Sequence, residues 1–243
     1  MVKKFELIKN DYINVYGTKL YRIRALTDFY DVSAGDLGGY IEKEENLAQE
    51  DNAWVYDKAC VFDDARVCNN AQIRDGAWVH GNAVIFDNAT IYGNARVYGN
   101  ARVYGNTCVF EHTYIYGNAR VYGNAIICGN ADVFGDSQVY YKAKVHGNVN
   151  VYGEAEICGD AIVAEEDDYI VFKNSWSSGR YFTYTKSNKM WKVGCFYGTG
   201  EELAKKAYAD NENNGKHYEL YVNIVREMEL MENEVDWCIR KVI

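Results

Sequence analysis

Four histidines and seven cysteines are the side chains of this 243-residue sequence best suited to acid–base, nucleophilic or metal chemistry. A histidine base needs an orienting partner and a substrate pocket. The sequence around His80, His112, His146 and His217 suggests neither, so no catalytic residue is assigned. Cys128 and His146 are 18 residues apart, with Cys108 near the same phase, and all three are soft ligands. Coil-to-coil coincidence is the better account of them, and no metal or other cofactor is assigned. The cysteines form no C-x-x-C pair and are odd in number, and the N-terminus lacks the apolar core of a signal peptide. Reduced thiols in a cytoplasm are the expectation. No run of about 18 apolar residues suggests a membrane span.

A second kind of chemistry is electrostatic. Residues 169–200 carry five basic residues and no acid, in a chain of net charge −9. Lys173, Arg180, Lys186, Lys189 and Lys192 alternate there with Trp176, Tyr181, Phe182, Tyr184 and Trp191. Such a mixture clamps phosphates and stacks bases. Alternatively, the aromatics pack on the helices that follow and the cations face acids. Arg180, Lys189, Trp191 and Lys192 are the candidate binding residues of this segment. The negative charge elsewhere is diffuse and makes no phosphate-like track.

The remaining candidates are positioned by a repeat. Nineteen consecutive hexads run from Asp51 to Ala164 without insertion, close to G-N-A-x-V-Y at Gly93–Tyr98, Gly99–Tyr104 and Gly117–Tyr122. The fifth position is Val or Ile in all nineteen, and the third is Ala in fifteen. A period of six does not suit an α-helix but does suit a short strand plus a corner. Positions 3 and 5 then point inward together, and positions 4 and 6 point outward. Gly and Asn supply the corner because they tolerate left-handed backbone. Three edges make an 18-residue coil, and at a rung spacing of roughly 4.8 Å about six coils span about 30 Å.

Position 6 is aromatic in twelve of the nineteen hexads. One outward column reads Phe62, His80, Tyr98, Tyr116, Phe134, Tyr152, and another Phe86, Tyr104, Tyr122, Tyr140. Beside the second column stand Arg66, Val84, Arg102 and Arg120. Stacked aromatics stabilise successive coils. Tyr and Arg are also the residue types that dominate interfaces. Arg66, Arg102, Arg120, Tyr104, Tyr122 and Tyr140 are therefore candidate binding residues.

The predicted domains are 1–50, 51–164 and 165–243: an N-terminal β cap and lead-in, the repeat, and a small α+β module. Phe5–Lys9 and Lys19–Leu26 read as capping strands. Tyr169–Trp176, Arg180–Thr185 and Met190–Phe196 read as three strands. Thr199 and Glu202 form a capping box for a helix near Glu201–Ala209, and a second helix runs from Gly215 to Glu234. The module caps the repeat, carries binding, or does both.

These hexads resemble the hexapeptide-repeat superfamily, whose members form left-handed parallel β-helices. The resemblance covers residues 51–164 and implies a mainly β, single-stranded β-helix of about six coils. That superfamily commonly places Gly directly after the inward aliphatic; here an aromatic fills the slot and Gly follows, as in V-Y-G-N. The variant is similar to a bacterial and phage subset of unassigned activity, as is the lead-in D-V-S-A-G-D-L-G-G-Y-I-E. The resemblance implies a homo-oligomer, a trimer by default. Hexads without an interrupting loop leave no evident place for a pocket, so a non-enzymatic binding scaffold is the expectation, and the resemblance implies an anti-defence role for it, inhibiting a host factor or sequestering a nucleotide signal. Two alternatives stay open. One is an acyltransferase with sites between protomers, using Arg102 and Arg120 for an anionic cofactor and His80 or His146 as base. The other is nucleotide or nucleic-acid binding by residues 173–192.

Overall fold

A computed structural model describes the backbone of residues 3–242 and the side chains of residues 3–232. The chain folds as two units, Met1–Tyr169 and Ile170–Ile243.

In the first unit each hexad contributes a two-residue strand at positions 4 and 5, from Trp54–Val55 to Ile162–Val163. Every strand but the last three pairs in parallel with the strand 18 residues on, as in Arg102↔Arg120 and Val103↔Val121. The product is a β-solenoid with three parallel sheets. Positions 3 and 5 are buried throughout: Ala101, Val103, Ala119 and Val121 are all 0% exposed. The core is thin, so the small and the β-branched residue alternate to fill it. Corners turn in the left-handed region. Gly105 sits at φ 77°, where an added Cβ would stand 2.6 Å from the Gly123 carbonyl oxygen. Where Asp takes this place, as at Asp63 (φ 57°), its carboxylate accepts the Gly81 N–H at 3.0 Å.

The solenoid has about seven turns, one more than the hexads predict. The additional turn is the lead-in. Strand β3 (Leu37–Ile41) pairs in parallel with Cys60–Val61, and Leu47 bridges to Val67. Ile41 and Leu47 keep the six-residue step, but eight residues separate Leu47 from Val55, and this change of phase hides the turn in the sequence. Strands β1 (Phe5–Val15) and β2 (Thr18–Ala25) form a hairpin on β3. β1 runs longer than predicted because Tyr16 and Gly17, both at positive φ, make the turn.

The first hexad of each face exposes its position-3 carbonyl toward the N-terminus, and three different donors meet these carbonyls. The Ala59 oxygen accepts the Tyr40 N–H at 2.9 Å. The Ala65 oxygen accepts the buried Asn46 Nδ2 at 2.9 Å. The Ala53 oxygen accepts Lys4 Nζ at 2.9 Å, and the same ammonium reaches the carbonyls of Glu50 and Asp51. At the other edge, Glu166 accepts the Asn150 N–H at 2.8 Å, and Tyr169 OH donates to the Asn150 oxygen at 2.8 Å. Ladder edges left open are templates for other chains.

The second unit carries a four-stranded sheet and two helices, α1 (Gly200–Asp210) and α2 (Glu212–Val242). The expected third strand divides at Gly194 (φ 54°) into Met190–Val193 and Phe196–Gly198. The predicted capping box is present: Thr199 Oγ1 accepts the Glu202 N–H, and Glu202 accepts the Thr199 N–H. α2 begins before Gly215, with Asn211 Oδ1 accepting the Asn214 N–H. Gly215 marks a close helix approach instead, since a Cβ there would lie 2.2 Å from the Tyr208 ring. Among the described residues no helix is long and apolar enough to cross a membrane.

Candidate functional site

The 18-residue coil places Arg66, Val84, Arg102, Arg120, Gln138 and Glu156 on one ladder, one per rung. Alongside it, Phe86, Tyr104, Tyr122 and Tyr140 stack with centroids 4.6, 4.9 and 4.7 Å apart and planes within 7° of parallel. Six of the sequence-predicted site residues thus share one face. Position 4 is exposed at Arg66, Arg102 and Arg120 because the inward Val of the same strand takes the core side. Among the described residues, the guanidinium groups of Arg102 and Arg120 have no hydrogen-bond or ion-pair partner, although the two residues occupy neighbouring rungs. The end of the face beyond them is self-satisfied. Tyr122 OH donates to Gln138 at 3.3 Å and Tyr140 OH to Glu156 at 3.0 Å. Burial pushes the Tyr122 hydroxyl up to about 12 and raises that of Tyr140 as well.

The stacking decides what these rings can recognise. Their faces are spent on one another, so they present edges and hydroxyls outward, and a nucleobase finds no open ring face between them. The first aromatic column behaves in the same way. His80 is inserted between Phe62 and Tyr98 at 4.8 and 5.0 Å, with Asp63 at 3.7 Å. Burial in that stack lowers its pKa, and its ring faces are covered. On the same face Arg96 lies between the Trp78 and Tyr114 rings, 5.0 and 5.7 Å from their centroids, a cation–π sandwich that the sequence reading missed.

The basic segment is arranged differently. Trp191 and Phe182 are each 2% exposed, Tyr184 is 3% exposed, and all three belong to the core of the second unit. Trp176 stacks on His217 at 4.7 Å and packs against Tyr218 and Tyr221. The cations meet acids of α2: Lys186 pairs with Glu232 at 2.8 Å and Lys189 with Glu229 at 3.5 Å. Lys192 donates to the Gly194 carbonyl, and Arg180 is exposed. A cavity of about 360 Å³ has Trp191, Gly200, Val222 and Val225 in its wall. The charges at its rim cancel in pairs, Arg226 with Glu201 and Lys189 with Glu229.

Among the described residues no three His, Cys, Asp or Glu side chains gather to hold a metal. Burial pushes the Cys60 thiol up to about 12 and raises those of Cys108 and Cys128, so these thiols remain protonated near neutrality.

Two features of the corners escaped the sequence reading. Asn52, Asn70, Asn88, Asn106 and Asn124 form a continuous amide ladder, each Nδ2 donating to the next Oδ1 at 2.9–3.1 Å. A second ladder joins Asn82, Asn100, Asn118 and Asp136. The signal is the recurrence of Asn at position 2 every 18 residues, which corner geometry alone also accounts for.

The fold and the outward ladders define a β-solenoid protein. Residues 95–109 and 115–129 match the family model described as the YdcK beta solenoid repeat. Those stretches include Arg102, Tyr104, Arg120 and Tyr122, so the similarity falls on the central coils of the candidate face. No curated protein matches the chain.

Proposed function

We propose that this protein is a non-enzymatic binding scaffold whose Tyr/Arg face docks an acidic group on a partner protein. One observation carries the reading: two exposed guanidiniums stand on adjacent rungs with no counter-charge among the described residues. At a rung spacing of about 5 Å, their mutual repulsion in water is about 0.8 kcal/mol. A carboxylate or phosphoryl group bridging them would relieve it. A flat face of ring edges suits a protein surface better than a nucleotide. The phage setting implied by the resemblance would make that partner a host factor, inhibited by docking. The trimeric state belongs to the same proposal.

The test uses immobilised poly-glutamate as the acidic probe. Salt-sensitive retention of the full chain, lost on Arg102→Glu with Arg120→Glu at an unchanged melting temperature, supports the reading. Equal retention of the variant removes it. Sedimentation at three times 27.7 kDa supports the trimer, and a monomeric mass removes it. The acyltransferase alternative would replace this reading if coenzyme A raised the melting temperature.

A further inference from the structure

A polar groove of about 330 Å³ runs along a different face, where Asn52, Asn70 and Asn88 border Gln72 and Thr90 and Tyr30 overhangs them. That volume falls at the lower end of small-molecule sites, about 300–1,000 Å³. We infer that this groove binds a neutral polyhydroxylated ligand of the carbohydrate class.

The lining sets the ligand chemistry. It offers three Asn amides, one Gln amide, a Thr hydroxyl and a Tyr ring, and no charged side chain. Ladder bonding uses one N–H and one oxygen lone pair of the Asn70 amide, and leaves one of each for a ligand. The Gln72 oxygen accepts two bonds from Arg74, at 2.9 and 2.7 Å, which turns the Gln72 Nε2 toward other acceptors. Arg74 in turn pairs with Asp31 at 3.2 Å, so the neighbouring charges cancel. An apolar ligand would leave these amides unpaired, and an ionic one would find no counter-charge. A ligand rich in both donors and acceptors satisfies them.

Tyr30 supplies the other half. It is 74% exposed and sits at φ 46°, a strained conformation for a non-glycine residue. The loop that carries it is fastened to the solenoid face by Asp31, which accepts Tyr56 OH at 2.5 Å as well as Arg74. An exposed ring held beside a row of amides is the arrangement that takes the C–H face of a sugar, while the amides take its hydroxyls. Amide groups recurring once per rung, at about 4.8 Å, suit a ligand with repeating units.

This site is independent of the arginine face. The full chain is titrated calorimetrically with cellohexaose, chitohexaose and maltohexaose, and with polygalacturonate as an anionic probe. Saturable binding of at least one neutral oligosaccharide is expected. Tyr30→Gly and Gln72→Glu should each weaken it tenfold or more without lowering the melting temperature. Glycine accepts the φ of residue 30, and a glutamate still pairs with Arg74, so neither change threatens the fold. Binding should survive replacement of Arg102 and Arg120 by Gln. The inference is overturned if none of the three neutral probes binds, if only polygalacturonate binds, or if both groove variants bind as the parent does.

Discussion

At the scale of single residues, the solenoid interior contains two inconsistencies. Thr107 and Thr113 point inward at position 3, and their hydroxyls have no hydrogen-bond partner. A buried unpaired hydroxyl costs about 1–3 kcal/mol. Val149 occupies the same inward position on the same face two coils after Thr113, so a branched apolar side chain fits there. Thr113→Val should therefore raise the unfolding free energy by about 1 kcal/mol in urea titration. Lys4 is a buried cation that binds carbonyls. Burial lowers its pKa to about 8, against the raising influence of Asp51 and Glu50. In the unfolded chain it stays protonated to about 10.4. Between these values the unfolded state binds more protons, so Lys4 makes stability rise with pH across that window. The difference in stability between the parent and Lys4→Met should accordingly change between pH 8 and 10. A flat difference would mean that Lys4 titrates alike in both states.

At the scale of elements, the outward ladders and the inward stripe contribute separately. The inward Ala/Val pattern is common to all three faces, so hexads are nearly interchangeable with respect to the core. The Asn, Arg and aromatic columns are not, because they recur only every 18 residues. Deleting residues 105–122 joins Tyr104 to Gly123 and preserves every column in phase. Deleting only 105–110 preserves the inward pattern but rotates all later hexads by one face. The six-residue deletion is expected to lower the melting temperature more than the 18-residue one, although it removes less buried surface. The reverse order would show that the columns add little beyond the core. Helix α1 depends on a local device: Thr199→Ala removes its capping hydroxyl and should cost about 1 kcal/mol.

At the scale of the whole chain, what was legible in the sequence follows from period. The solenoid, its inward residues and the Arg102–Arg120 ladder with its stacked tyrosines all repeat, and arithmetic on the numbering finds them. The groove beneath Tyr30 does not repeat. It depends on a loop brought to the solenoid by Asp31 contacts across 25 and 43 residues of sequence, and no spacing announces that. The basic segment was misleading for a different reason. Alternating lysines and aromatics describe a two-sided sheet as well as a binding surface, and here Trp191 and Phe182 face inward while Lys186 and Lys189 face α2. The helix start at Gly215 was displaced because glycine serves equally for an end and for a close crossing.

The lead-in turn has a consequence for how the chain finds its alignment. Hexads so alike are degenerate: sliding one stretch past another by a full coil exchanges each rung for a near copy, and the energy changes little. The eight-residue step between Leu47 and Val55 occurs once. It breaks the translational symmetry, as an origin mark does on a ruler, and only one alignment sets Lys4, Asn46 and β3 over the first three carbonyls together. Counting starts there. A chain with two residues removed from this step would have its hexads in perfect phase from Ile41 onward and would lose its origin. Its refolding should then yield a mixture of registers, detectable as several slow phases where the parent shows one.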